Sequence, residues 1–210
     1  MKWNDHEKLR GLHAFLGASQ FRWITWDDEK LIQRYYSSFA SDIGTALHDL
    51  AQSLIKNKIK LTLEDTNLIE LTLVKAGFPR GSFDSEKILH NLLPYVNDAI
   101  GFRMDTEVIL YYSPYSFGTA DAIKYDDLSK KLRIHDYKSG GTPAHMEQLE
   151  IYAALFCLEY NVDPFELKDI ELRIYQNYSI PTEKAESERI KQVMHLIIEN
   201  DRKLKKLRED

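Results

Sequence analysis

The stretch from 131 to 138 alternates without a break. Leu132, Ile134, Asp136 and Lys138 fall on one face of an extended chain, and Arg133, His135 and Tyr137 on the other. That period belongs to a strand. Its first face changes character halfway, from two aliphatic side chains to an acid and a lysine. An aspartate that continues an apolar face is costly to bury unless it is paired or bound to metal. Successive residues on that face lie on the order of 7 Å apart along the strand.

Two similar segments precede this one. Residues 108–112 and 117–125 are strand-like, separated by Ser113-Pro114-Tyr115-Ser116, and 126–129 is the turn into the third. The three form a meander that Ser139-Gly140-Gly141 ends.

Helical periods flank it. Asp42 is placed to cap a helix reaching about residue 58. Ile43, Leu47, Leu50 and Leu54 form its apolar stripe. Gly44, His48, Ala51 and Ile55 form the adjacent one, which puts His48 at the edge of the buried face. Ile88, Leu92, Val96 and Ala99 mark a helix over about 84–100, where Pro94 predicts a kink or a split. Residues 61–81 show no definite pattern beyond a loop at 77–81. After the meander, Thr142 and Pro143 have the N-cap and first-turn chemistry of a helix reaching about 160. Residues 168–175 alternate as a fourth strand, and 181–210 form one long charged helix. The aromatic residues of the first 40 positions (Trp3, Phe15, Phe21, Trp23, Trp26, Tyr35, Tyr36, Phe39) are expected to fill the core. Stacking on bases is their other common use. The order helix, three strands, helix, strand, helix predicts one α/β domain over residues 1–210, with a central mixed sheet flanked by helices.

Composition narrows the chemistry. A chain of 210 residues that is 43% apolar and 29% charged is globular. One cysteine, Cys157, excludes a disulfide framework, a four-cysteine zinc site and a cysteine-held iron–sulfur cluster, and predicts a reducing compartment. No apolar run is long enough for a membrane span and the N-terminus lacks a signal pattern, so a cytoplasmic protein with no membrane partner is expected. A net charge of −5 argues against coating nucleic acid non-specifically. It leaves room for a local basic groove, and carboxylates held back for metal produce the same balance. No phosphate loop for ATP is present.

The acids of the meander supply that metal chemistry. Asp121 lies in Gly118-Thr119-Ala120-Asp121-Ala122, Glu107 begins the first strand, and Asp136 stands two residues before Lys138. Two carboxylates on neighbouring strands suit a hard divalent cation, which polarises a phosphoryl oxygen and acidifies bound water. A nearby lysine orients or deprotonates that water and offsets transition-state charge. An isolated Asp-x-Lys is ordinarily a surface ion pair. Here it precedes a helix with Gln148 and Tyr152, four apart and on one face.

Gly44-Thr45-Ala46-Leu47-His48, Asp121 in its Gly-x-x-Asp context, Asp136-Tyr137-Lys138-Ser139-Gly140, and Gln148 with Tyr152 follow one another in an order that resembles the RecB-like branch of the PD-(D/E)XK nuclease superfamily, over about 41–176. The resemblance implies a restriction-endonuclease-like core. It implies that His48, Asp121 and Asp136 bind metal, that Tyr137 lends its backbone carbonyl, that Lys138 serves the water, and that Gln148 and Tyr152 position DNA or the lysine. Glu107 sits where many members keep an acid. The cofactor implied is Mg2+ or Mn2+, with the imidazole tilting the balance to Mn2+. The activity implied is metal-dependent cleavage of DNA by an exonuclease of the phage (lambda-exonuclease-like) type, acting on linear duplex in recombination or repair. Ala120 departs from the proline of the superfamily name. Basic candidates for the DNA path are Lys124, Lys130, Lys131, Arg133 and the lysines at 56, 58 and 60, with His145 as a further contact. Analogy adds a recombination or single-strand-annealing partner and a homo-oligomer. A DNA endonuclease of the same fold is the first alternative. A non-catalytic DNA-binding or assembly module is the second, against which the complete acid–acid–lysine set argues.

Overall fold

The computed structural model describes residues 6–9, 14–141 and 143–209. The expectations attached to Trp3 and Thr142 lie outside them. Short 3-10 turns at Glu7–Leu9 and Ala18–Thr25 lead into helices α1 (Asp28–Ser37), α2 (Ala40–Lys56), α3 (Thr66–Lys75) and α4 (Ser85–Gly101). Strands β1 (Asp105–Ser113), β2 (Ser116–Asp126) and β3 (Lys131–Tyr137) follow, then α5 (Glu147–Tyr160), β4 (Asp169–Tyr175), β5 (Thr182–Lys184) and α6 (Ser187–Glu209).

The strands form one five-stranded mixed sheet in the order β1-β2-β3-β4-β5. β3 and β4 pair in parallel, with α5 as the crossover, and the other pairs are antiparallel. Helices cover both faces. On one, Leu47, Ile69, Leu73, Leu92, Tyr95 and Val96 pack with Tyr137 and Tyr175. On the other, α5 and α6 set Leu149, Ala153 and Ile190 against Leu132, Ile134 and Ile174. The clean alternation of β3 therefore feeds two cores: Leu132 and Ile134 one, Tyr137 the other.

Several elements differ from expectation, each for a tertiary reason. The helix assigned to Asp42 starts at Ala40, and Asp42 lies in its first turn, where a carboxylate still suits the helix dipole. Helix α4 runs as one element through Pro94, because seven of its side chains, Leu92, Tyr95 and Val96 among them, are buried and offset the missing hydrogen bond. Helix α3 occupies part of the segment that had no pattern, anchored by the fully buried Ile69 and Leu73. The helix expected from Thr142-Pro143 begins at Glu147 instead. The Gln176 side chain, just past β4, accepts from Ala144 N at 3.0 Å and donates to Gly140 O at 2.6 Å, so these loop groups have partners without a helix. The long C-terminal helix begins at Ser187, after the edge strand β5. Of the N-terminal aromatics only Phe39, half-buried, packs against the core among the described residues. None of the described ones is buried, and they pack on one another in pairs such as Phe15–Tyr35 and Tyr35–Phe39.

Helices α2 and α4 close alike. Ile59 N donates to Leu54 O, and Met104 N to Ala99 O, both at 2.9 Å. The left-handed residue in each closure is Lys58 (φ 57°) and Arg103 (φ 54°). A Cβ makes that conformation costlier by roughly 1–2 kcal/mol, a penalty glycine escapes.

Candidate metal centre

The site forms where the regular pleat of the sheet breaks. The β1–β2 register runs through Thr106↔Ala122 and Val108↔Ala120 and skips the Glu107/Asp121 rung between them. Glu107 is left-handed there, at φ 53°. The β2–β3 ladder stops at Ala122↔His135, one residue short of Asp121 and Asp136. Ala120 and Ala122 share a face in a regular strand. Here Ala122 joins the α2–α4 core and Ala120 the α5–α6 core. Asp121 sits at this dislocation, and its Oδ2 accepts the Tyr137 backbone N–H at 2.8 Å.

The dislocation turns two acids toward α2. His48 Nδ1 lies 3.7 Å from Glu107 Oε1 and 3.6 Å from Asp121 Oδ2. One donor atom from each of the three residues falls within 4.8 Å of the others. The imidazole separations are too long for hydrogen bonds. They suit donors that share a cation, since a hard divalent ion takes oxygen ligands at about 2.0–2.6 Å. His48 is held by its buried edge, with Tyr137 in edge contact at 5.6 Å between ring centroids. Burial lowers its pKa against the opposing pull of Glu107 and Asp136, which keeps the ring neutral, the form that ligates metal.

Asp136 and Lys138 make the second half of the site. The Asp136 side chain is 1% exposed, and Lys138 Nζ lies 3.1 Å from Oδ1 and 3.0 Å from Oδ2. Oδ2 makes no hydrogen bond. Its contact with the Lys138 ammonium is an ion pair without hydrogen-bond alignment, so this buried oxygen beside three converging ligand atoms keeps a lone pair that a cation could take. Lys138 is fixed at its backbone, where its N–H reaches Tyr175 O at 3.1 Å. Burial pushes the Asp136 carboxyl up to about 6, with Asp121 adding to the rise and Lys138 opposing it. Asp121 is raised to about 6 as well, by burial first, against the Tyr137 N–H and Lys138, and Glu107 adds to the rise. These two acids hold their charge at a cost that a bound cation relieves.

From α5, Gln148 Nε2 donates to the Tyr152 hydroxyl at 3.0 Å. The Tyr152 ring passes over Gly118, where a Cβ would stand 2.9 Å from Cε1, so the glycine is required for this approach. Burial raises the Tyr152 phenol, and Asp121, Asp136 and Lys138 all act on it, which places it in the field of the site. Tyr95 of α4 stacks on Tyr137 at 5.6 Å, and its phenol is raised by burial and then by Asp121, Glu107 and Asp136. Nothing in the α4 sequence marks Tyr95 as a neighbour of the acids, because only the packing of α4 on the sheet brings it there.

The structure thus groups Glu107 with His48 and Asp121, and Asp136 with Lys138. Tyr137 lies between the two groups, its N–H on Asp121. The proposed DNA contacts are more scattered. Lys131 pairs with Asp169 at 2.5 Å and Glu171 at 3.0 Å, and Arg133 reaches Glu171 at 3.4 Å while lying over the Phe102 ring. Lys124 stands opposite Arg133 in the β2–β3 register. His145 is exposed before α5 and lines a separate cavity of about 550 Å³.

Fold and site together define an α/β protein with a central mixed five-strand sheet and a His/Glu/Asp cluster, an arrangement compatible with a nuclease fold. Among the described residues no helix is long and apolar enough to cross a membrane. Comparison with protein-family models, with curated proteins and with solved structures returned no match.

Proposed function

We propose that the chain is a divalent-metal-dependent deoxyribonuclease with a restriction-endonuclease-like core of the RecB-like type, acting as an exonuclease on linear duplex DNA. The observation that carries this reading is the convergence of His48, Glu107 and Asp121, from α2, β1 and β2, beside the buried Asp136–Lys138 pair. His48, Glu107 and Asp121 would hold Mg2+ or Mn2+, with Asp136 adjoining. The bound cation supplies Lewis acidity toward the phosphoryl oxygen and a more acidic water. Lys138 Nζ, held by Asp136, would orient an attacking water and offset negative charge that develops on the phosphorus oxygens. Gln148 fixes the Tyr152 hydroxyl, and the pair steers the substrate or Lys138. Asp121 couples the halves, because one carboxylate faces His48 and also takes the Tyr137 N–H.

Purified protein incubated with linear, nicked and circular DNA in Mg2+, Mn2+ or chelator tests the reading. Cleavage of linear DNA alone, lost in chelator, is the expected result. Cleavage of closed circles gives the endonuclease alternative. No cleavage of any DNA with either metal overturns the nuclease reading and leaves the non-catalytic module. Lys138→Ala is expected to abolish cleavage with folding and most DNA binding retained, and full activity in that variant removes Lys138 from the chemistry.

A further inference from the structure

Most of the cations within the strands and turns of the sheet are engaged: Lys131 and Arg133 by Glu171, Lys130 by Asp127, and Lys138 by Asp136. Another group is not. Lys56 at the end of α2, Lys58 just past it and Arg103 just past α4 carry no ion pair among the described residues. The three line one cavity of about 480 Å³, whose other wall includes Asp105 and Thr106 of β1. Three cations against one acid make this cavity positive, in a chain whose net charge is −5.

Two of the three cations stand where glycine is the cheaper residue. Lys58 and Arg103 occupy the left-handed positions that close α2 and α4. A cation near a helix C-terminus does suit the dipole. Lys56, in the last turn of α2, meets that need with ordinary helical backbone. The dipole therefore leaves the side chain of Lys58 unexplained, while Arg103 is the cation nearest the C-terminus of α4, whose last turn has none.

The cavity is connected to the metal centre along two elements, β1 and α2. Thr106 immediately precedes Glu107. Lys56 lies eight residues beyond His48 on α2, on the order of 12 Å along the axis. A nucleic-acid strand advances about 3.4 Å per nucleotide, so that distance corresponds to roughly three to four nucleotides.

We infer that this cavity is a phosphate-backbone site, in which Lys56, Lys58 and Arg103 hold phosphodiester groups of a DNA strand, Lys56 about three to four nucleotides from the bond that lies over His48, Glu107 and Asp121. The inference rests on the nuclease reading. Such contacts position a strand and carry no sequence information, so the effect is independent of base composition.

The left-handed residues give a clean test. The double variant Lys58→Gly with Arg103→Gly removes two charges and relieves two backbone positions, so it is expected to melt no lower than the parent. Binding is read by anisotropy with a labelled 20-base-pair duplex in chelator over a series of salt concentrations. Each lost phosphate contact lowers the slope of log affinity against log salt by about 0.9, so the double variant is expected to lose about 2 from the slope and to bind roughly tenfold more weakly at low salt. Lys56→Ala, in regular helix, is expected to lose about 1 without touching either left-handed residue. Lys206→Ala on α6 makes the same charge change elsewhere and is expected to leave the slope unchanged. A parent that cleaves DNA together with a double variant of unchanged slope overturns this site and leaves the nuclease reading standing. A parent that neither binds nor cleaves DNA overturns both.

Discussion

Gly118 shows how single residues fix the site. Its missing side chain is the space the Tyr152 ring occupies, and Gln148 holds the hydroxyl at the other end of that ring. Gly118→Ala is expected to push Tyr152 aside, to cost about 1–3 kcal/mol from overpacking, and to lower the cleavage rate. Calorimetric titration with Mn2+ separates the effects: the metal affinity should hold, since His48, Glu107 and Asp121 do not contact the glycine. Loss of metal affinity in this variant would show that the two halves of the site are not separable. Glu107 makes the complementary case. Glu107→Ala removes one of three converging donors and is expected to weaken Mn2+ binding at least tenfold, equivalent to about 1.4 kcal/mol. Unchanged affinity by the same titration would exclude Glu107 as a ligand. The sequence placed an acid at 107 but gave no reason for it to turn toward His48. That orientation follows from the left-handed backbone at Glu107 and the skipped rung opposite Asp121.

Elements were legible wherever their own period met a single buried face. Of the expected α2 stripe, Ile43, Leu47 and Leu54 are buried and Leu50 half-buried, with Ala51 and Ile55 of the adjacent stripe buried beside them, and the alternation of β3 maps onto two cores. Leu47 is fully buried. Leu47→Ala is expected to destabilise the fold by about 2–5 kcal/mol, measured by urea denaturation. Because α2 carries His48 on the adjacent stripe, the same change should also weaken metal binding more than its distance implies. Elements were illegible where the decisive interaction lies elsewhere in the chain. Helix α3 has only Ile69 and Leu73 fully buried, too short a stripe to stand out. The start of α5 is set by Gln176, beyond β4, which takes up backbone groups of the preceding loop. Pro94 argued for a break in α4, and the buried face of that helix outweighs it.

Across the whole molecule, charge is distributed by pairing. Glu171 of β4 sits among Lys131, Arg133, His135 and Arg173 and ties β3 to β4. The neighbouring His135 ring, with Lys131 and Arg173, holds its carboxyl well below the usual carboxylate range. A depressed acid contributes stability above its unfolded pKa and loses it as the pH falls toward the folded value. Glu171→Gln is therefore expected to be less stable than the parent at pH 7, with the gap in urea midpoint narrowing as the pH drops below about 4.5. A gap that stays constant from pH 7 to pH 3 would show that ionisation of Glu171 is not its source. The overall charge of −5 first argued against nucleic acid. The structure divides it: acids cluster at the candidate metal centre, and most strand cations are spent on partners. Lys56, Lys58 and Arg103, which carry no ion pair among the described residues, gather around one cavity.

The sequence by itself determined the α/β class, the strand meander, the paired faces of β3, and the residue types of the site, because periodicity and side-chain chemistry are local properties. Tertiary structure alone decided which donors meet. His48 and Asp121 are 73 positions apart, and the carboxylate that joins them is selected by a dislocation in the β1–β2 ladder. Such a break arises from how two strands match along their length, so no single strand encodes it.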